Sequence, residues 1–439
     1  MVKDKKQLFD FKVLAKIFGL IAAFSAVGFL LITIAYTLPR GRIRSHVAES
    51  VTWYNVGHEW GYKLWQTRSD TFSDAFRLSI AAGPNENPVR SAALSLRNAS
   101  LKETDNIHGE IYALYGDENY ENLEVVEREY GRYWHGYVIF LAPLLTFLNP
   151  AEINVLNYGI QFIAIIALLF IAYKKYGAKL ALAVAFYVYA LNPVTTASCF
   201  QYAPGFYLSI LPMILILLFH EKLSAKGRYA LLFTFIGCAI NFFDLLSFPL
   251  VTLGAPVALS VYLDNRDKAQ KIGQQFCKII MRSGCWVLGY GITWVLKWTI
   301  ATLVTGENMF ANAIEAIFNR SGGGGYSRFS AISRNMEVMF NVPTIIICVL
   351  ILAVILAMWW RKKITINLRD KKLLLLAFIA IYPFIWYCTL VNHSWVHTFM
   401  AHRLLAISMF CVALGIAQSS SLVVKKVTRI SSSKKKTRG

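Results

Sequence analysis

The sequence predicts an all-α fold: a polytopic membrane helix bundle of about ten transmembrane helices, with helical loop segments layered on the outer face. Three observations carry that prediction. The 439 residues are 56% hydrophobic, with a mean hydropathy of +0.46, above the ~45–50% apolar share of soluble domains. Apolar runs of roughly 15–23 residues recur along the chain. The lysines and arginines behind the net charge of +20 flank those runs. They include Lys3, Lys5, Lys6, Lys174, Lys175, Lys226, Arg228, Arg361, Lys362, Lys363 and Lys434 to Lys436. Basic residues so placed set membrane orientation, and no nucleic-acid partner is expected from them.

Residues 1–37 read as an N-terminal tail and first transmembrane helix. The apolar run Ile17 to Tyr36 is longer than a signal-peptide core and reads as a retained anchor, with the N-terminus inside. Arg40, Arg42 and Arg44 just beyond it oppose that orientation, but the lysines before and within the run favour it. Residues 38–152 then form a large outer-face loop with surface helices, rich in Tyr and containing Trp53, Trp60 and Trp65. Within it, Tyr137–Asn149 is too short to cross, and Pro143 and Pro150 interrupt it. It reads as a re-entrant or interfacial helix.

Residues 153–424 form the multi-span bundle. Crossings are expected at 153–173, 179–193, 205–220, 229–244, 247–263, 284–304, 341–360, 373–391 and 403–424. Residues 265–282 suggest an inner-surface helix. Residues 305–338 form a second outer loop around the permissive run Gly322–Gly325, a mobile lid or simply a loose loop. Residues 425–439 are a basic cytoplasmic tail. Most of the seven cysteines fall in apolar segments, with no CxxC or CxxH pair, and read as packing residues.

This threading puts nearly all unusual polar residues on the outer face, as an enzyme or carrier working there would need. In TRSDTFSDAFRLSIAA, a helix places Phe72, Phe76 and Ile80 on one stripe and Asp70, Asp74 and Arg77 on another. Such a helix would lie on the outer leaflet and hold a carboxylate near the headgroups, placed to deprotonate a sugar hydroxyl. The plainer reading makes Ser69 or Asp70 an N-cap and leaves Asp74 solvated or paired with Arg77.

EREYGRYWHGY gathers Arg132, Trp134 and His135 at a membrane boundary. Arginine offers a forked donor to phosphate oxygens, and His135 suits orienting a phosphate or moving a proton. An aromatic belt with a snorkelling arginine is the alternative. Asp244 in NFFDLLSFP is costly near membrane depth unless paired or hydrated. It reads as a ligand for an arginine, a substrate hydroxyl or a metal, or as a cap for the turn before Pro249. Lys297 in GYGITWVLKWTIA reads as a phosphate ligand, a partner of Asp244, or a snorkelling lysine.

In NHSWVHTFMAHR, His393 and His397 share a helical face by i,i+4 spacing. With Arg403 they suit phosphate or pyrophosphate recognition; an ordinary polar outer turn is the plainer alternative. Two histidines without HExxH make a weak zinc signal, so a divalent metal is possible without being required. Tyr202, beside Gln201, is a candidate wall of a sugar pocket. Arg320, Arg328 and Arg334 flank the glycine run and would attract an anionic lipid carrier. Neither GxSxG nor GxxxxGK[ST] occurs, which argues against a serine hydrolase or a P-loop machine.

The order of parts resembles the GT-C superfamily of integral-membrane glycosyltransferases over most of residues 1–424. It runs from one span to a long outer loop with carboxylates and surface helices, then a short outer helix and a multi-span bundle. The segments RYWHGY, FDLLSFPLVTLG, GYGITWVLKW and NHSWVHTFMAHR are similar to those of bacterial membrane proteins of GT-C type. The resemblance implies a polyprenyl-phosphate sugar donor and an acceptor at the outer membrane face, here expected to be a cell-envelope glycan, lipid or polymer. The short inner loops and outer-facing chemistry suit a bacterial plasma membrane, though an endoplasmic-reticulum enzyme with a lumenal site would give similar signals. The resemblance also implies a catalytic carboxylate from the first outer loop, for which Asp74 fits first and Asp70 second. Two other classes remain open: a polysaccharide polymerase or ligase using lipid-pyrophosphate glycans, and a non-enzymatic flippase for lipid-linked sugars.

Overall fold

The computed structural model describes residues 11–55, 70–100, 107–115, 124–225, 227–266, 270–322 and 325–423. Trp60, Trp65, Lys226, Gly323, Gly324, residues 1–10, the tail 425–439 and the side chain of Trp53 lie outside that description. The described chain is mostly helical, and six helices are long and apolar enough to cross a membrane. The protein therefore has the build of a multi-pass membrane protein.

Helix α1 (Phe11–Tyr36) is the first of these, and α2 (Arg40–Asn55) follows after a short turn. Next come α3 (Thr71–Ala81), α4 (Pro88–Leu94), β1 (Arg97–Ser100), α5 (Ile107–Tyr115), β2 (Val125–Arg128) and α6 (Val138–Leu145). Beside its helices this segment carries a short two-stranded ribbon. Strands β1 and β2 pair antiparallel, Arg97 opposite Arg128 and Ser100 opposite Val125. Glu110 locks α5 to β1 by an ion pair with Arg97 at 2.6 Å and by accepting the Ser100 N–H at 3.0 Å.

The eight residues of α6 extend only ~12 Å, too short for a ~30 Å hydrocarbon core. Arg40 and Arg44, which oppose the orientation read from charge, have a local task. Arg40 donates to the Ala81 carbonyl at 2.7 Å and Arg44 to that of Ala82 at 3.3 Å, so both cap the C-terminus of α3.

The bundle proper begins at α7 (Pro150–Tyr176), started by an Asn149–Glu152 capping box and Pro150, and ended at Gly177 with φ +89°. Then follow α8 (Ala178–Leu191), α9 (Pro193–Ser198), α10 (Ala203–Leu223), α11 (Arg228–Phe243), α12 (Val251–Asn265) and α13 (Ile272–Thr305). Every residue of α12 is buried, which makes it the central helix. Helices α11 and α13 touch backbone to backbone. A Cβ on Gly237 would stand 2.1 Å from the Trp286 carbonyl oxygen, and one on Gly289 2.2 Å from that of Thr234. The expected boundary between an inner-surface helix over 265–282 and a separate span over 284–304 is absent: Ile272–Thr305 is one continuous helix of 34 residues, since Ser283–Gly284 supplies no stop.

The second loop is also helical, as α14 (Met309–Ser321) and α15 (Arg328–Met339), with Gly325 at φ +85° between them. Helix α16 (Val342–Trp360) has one buried residue, Thr344; its apolar sides face outward as lipid contact demands. Strand β3 (Ile364–Ile366) pairs antiparallel with β4 (Ser420–Leu422). Between them lie α17 (Leu373–Ala380), α18 (Tyr382–Thr389), α19 (Val391–Val396), α20 (Thr398–Ala401), a 3-10 turn His402–Leu405, and α21 (Ala406–Ser419). Each expected crossing thus contains helix, but α8, α11 and α12, of 14, 16 and 15 residues, and the broken α17–α18 pair are shorter than a full crossing.

Candidate functional site

The unusual polar residues gather where α3, α6, the ends of α11 and α13, and the segment 390–405 meet. Their chemistry divides sharply into groups held by the fold and groups left open.

Asp74 belongs to the first kind. It is 1% exposed. Its carboxylate accepts the backbone N–H of Gln201 at 2.8 Å and of Phe200 at 2.9 Å, with the Cys199 thiol 3.5 Å away. Burial pushes its pKa up to about 7, opposed by Arg77 and those two amides. Arg77, 1% exposed, donates to Gln201 Oε1 at 2.8 Å and to the carbonyls of Phe200 and Phe243, both at 3.1 Å. The expected amphipathic orientation of α3 is therefore reversed. The Asp74–Arg77 stripe faces the protein, while the other stripe is exposed only at its start: Phe72 is 60% exposed, Phe76 is half-buried and Ile80 is buried. Spacing found the stripes; distant partners account for the burial of the charged one.

Lys297, Tyr202 and Arg403 are also held inside. Lys297 Nζ donates to the carbonyls of Ala92 and Ala93 at 3.0 and 2.7 Å, capping α4. It thus serves neither as a snorkelling group nor as a partner of Asp244. Tyr202 is fully buried, so it forms no wall of an open sugar pocket. The Arg403 guanidinium stacks 4.3 Å from the Tyr202 ring and donates to the Leu191 and Phe399 carbonyls. It binds the polypeptide and does not join the two histidines. Asp244 accepts the Ser247 N–H at 2.8 Å and the Ser247 hydroxyl, the turn-capping arrangement. Burial raises its pKa to about 6.

Arg132 is half-buried, stacks 4.3 Å from the Tyr130 ring and reaches Asn312 Oδ1 at 3.3 Å. His135 sits at φ +53° and pairs through Nδ1 with the Tyr137 hydroxyl at 2.8 Å, while its buried Nε2 has no partner. Burial, then Lys297 and Arg77, hold its pKa well below the ordinary value. Gly136 beside it donates to the Phe242 carbonyl at 2.8 Å, and a Cβ there would strike the Phe242 ring at 2.0 Å. Arg328 docks α15 by donating to the Cys388 carbonyl at 3.2 Å.

Besides the unpartnered nitrogens of His135, Arg132 and Arg403, the groups left open are Asp70, Arg320, His393 and His397. Asp70 caps α3 by accepting the Ser73 N–H on Oδ1 at 3.0 Å. Among the described residues no ion pair engages it. His393 is 2% exposed and neither ring nitrogen has a hydrogen-bond partner, while the neighbouring Leu246 backbone favours its protonated form. Its ring centroid lies 4.8 Å from that of His397, the shared face the spacing predicts. Burial, then His397 and Arg320, push the His393 pKa well below the ordinary value. His397 is lowered by burial and by Arg320, with Asp70 opposing.

Arg320 is the common neighbour. It lies within electrostatic reach of His393, His397, Tyr133 and Tyr290, and its guanidinium is 5.8 Å from the Tyr133 ring. Among the described residues it makes no hydrogen bond or ion pair. The sequence marks it only as one of three arginines around a glycine run. Its position in the last turn of α14 distinguishes it. An unpaired guanidinium beside two imidazoles and a carboxylate can bind an anion while a proton leaves a neighbouring hydroxyl. Among the described residues, no group of three or more His, Cys, Asp or Glu side chains is arranged to hold a metal ion. Comparison with models of known protein families, with curated proteins and with solved structures returns no match to this chain.

Proposed function

We propose that the protein is a membrane glycosyltransferase that moves a sugar from a polyprenyl-phosphate donor to a cell-envelope glycan, lipid or polymer acceptor at the outer face of the plasma membrane. The observation that carries this reading is the grouping of unpaired Arg320, His393 and His397 near Asp70, at the end of the bundle where the surface helices pack. The resemblance to the GT-C superfamily supports it. In the proposed topology the chain crosses about ten times, both termini are cytoplasmic, and the shorter helices cross where the surface layer covers their ends.

In the proposed reaction Arg320 holds the donor phosphate, and His393 and His397 donate N–H bonds to its oxygens. Arg132, beside the same aromatic cluster, extends the basic surface toward the carrier. Asp70 accepts the proton of the acceptor hydroxyl as that oxygen attacks the anomeric carbon. The carbon–oxygen bond to the phosphate breaks, polyprenyl phosphate leaves with the bonding pair, and the anomeric carbon inverts. Donors already aimed at the departing charge lower its cost. Asp74 positions Asp70 by fixing α3 to the 199–201 turn, since both its oxygens are engaged by backbone amides.

The test is transfer by the purified protein in nanodiscs, over a panel of polyprenyl-phosphate sugars. Single-sugar transfer supports the reading. Transfer of an oligosaccharide from a lipid pyrophosphate would replace it with a polymerase or ligase, and transbilayer movement without transfer would replace it with a flippase.

A further inference from the structure

A polar cavity opens at the end of the bundle opposite Asp70 and the two histidines. Helices α7, α12 and α21 start at the end that carries Asn149, Asp244 and Arg403, and run to Tyr176, Asn265 and Ser419. At 1.5 Å per residue, α12 and α21 separate the two ends by ~20 Å. The cavity has a volume of about 670 Å³ and lies where these helix ends meet the 177–179 turn and the turn before α17. That size suits a small-molecule or headgroup site.

Its charged lining is three cations, Lys179, Arg266 and Lys372, and one carboxylate, Asp370. Asp370 is already occupied. It accepts from Gln418 Nε2 at 2.8 Å and from the Lys372 backbone N–H at 2.9 Å. Lys179 reaches the Ser420 carbonyl and Lys372 that of Asn265, at 3.2 Å for the latter. The exposed Arg266 has its guanidinium 5.6 Å from the Tyr176 ring, and among the described residues no ion pair engages it.

The second observation is Asn265, only 8% exposed. Its Nδ2 donates to Gln418 Oε1 at 2.8 Å, while its buried Oδ1 has no partner. A buried acceptor left in this state is costly, and it calls for a donor that the cavity's occupant would bring. The cations call for an anion. One ligand meets both demands.

We propose that this cavity is a second binding site, for a phosphate ester that carries a hydroxyl. Arg266, Lys179 and Lys372 face the phosphate, and the hydroxyl donates to Asn265 Oδ1. A hydroxylated anionic lipid headgroup and a free phosphate ester offer the same chemistry. The site does not depend on sugar transfer at the other end.

The test uses the full chain purified in detergent, with two probes. Native mass spectrometry measures retention of phosphatidylglycerol against phosphatidylcholine, and calorimetry measures binding of glycerol 3-phosphate. Phosphatidylglycerol retention without glycerol 3-phosphate binding identifies a lipid headgroup; glycerol 3-phosphate binding without lipid preference identifies a soluble ester; either supports the site. The variant Arg266→Gln, at an exposed position, keeps the wild-type elution profile and weakens binding roughly tenfold. Lys179→Gln weakens it further but also removes the Ser420 contact, so Arg266→Gln is decisive. No preference for either probe over phosphatidylcholine, or equal binding by wild type and Arg266→Gln, would overturn the proposal.

Discussion

The imidazole rings of His393 and His397 lie 4.8 Å apart, and neither nitrogen of His393 has a hydrogen-bond partner. Both pKa values are held below the ordinary value, first by burial and then by neighbouring positive groups. The pair is therefore neutral near neutral pH. A bound phosphate favours the protonated ring, so donor binding takes up protons. Affinity should rise as pH is lowered through and below neutrality. Binding of a polyprenyl-phosphate sugar, measured against pH, checks it. A flat profile would remove the histidines from the phosphate.

Arg320 should matter more than any other arginine of this end. Arg320→Gln removes a charged donor worth about 1.5–3 kcal/mol, a loss of roughly 10–100-fold in kcat/KM. Arg320→Lys keeps the charge and should recover part of it. Arg328→Gln, whose guanidinium serves the Cys388 carbonyl, should leave kcat/KM within about threefold. Steady-state transfer kinetics on the three variants compare them directly.

Asp74 makes a stability prediction with a definite sign. Its folded pKa of about 7, and that of Asp244 at about 6, lie above the ordinary 3.8. The native state thus binds more protons than the unfolded state between those limits. Stability should fall as pH rises from about 4 to about 7 and level off above. Asp74→Asn removes an acceptor from one of two backbone amides, which costs about 1–3 kcal/mol and flattens the pH dependence. Thermal unfolding in detergent, followed against pH, measures both effects.

The α11–α13 contact tests the packing. Gly289→Ala places a methyl 2.2 Å from the Thr234 carbonyl oxygen, where backbone must move. The expected cost is about 1–3 kcal/mol, seen as a lower Tm. Gly284→Ala on the same helix meets nothing within 4 Å and should leave Tm unchanged or slightly higher.

Hydropathy made the helices legible, because apolar runs and basic flanks report directly on burial in lipid. The short α6 was legible from Pro143 and its length, and the face shared by His393 and His397 from i,i+4 spacing. What stayed hidden depends on partners far along the chain. Asp74 is buried by residues 126 and 127 positions away. Lys297 answers to carbonyls some 200 positions earlier, and Arg40 reads as a charge flag until Ala81 is seen beside it. Arg320 lacks any local motif, so its place among His393, His397 and Tyr133 emerges only in three dimensions. Short strands such as β1 and β2 carry too few residues for a period to show.

The most direct measurement compares Asp70→Asn with Asp74→Asn for sugar transfer and for Tm. Asparagine caps a helix about as well as aspartate, so Asp70→Asn keeps α3 in place and removes only the base. The account predicts wild-type Tm and donor binding for Asp70→Asn, with transfer lost by at least about 10²-fold, whereas Asp74→Asn lowers Tm together with activity. Full transfer by Asp70→Asn, under conditions where the wild-type protein transfers sugar, would contradict it.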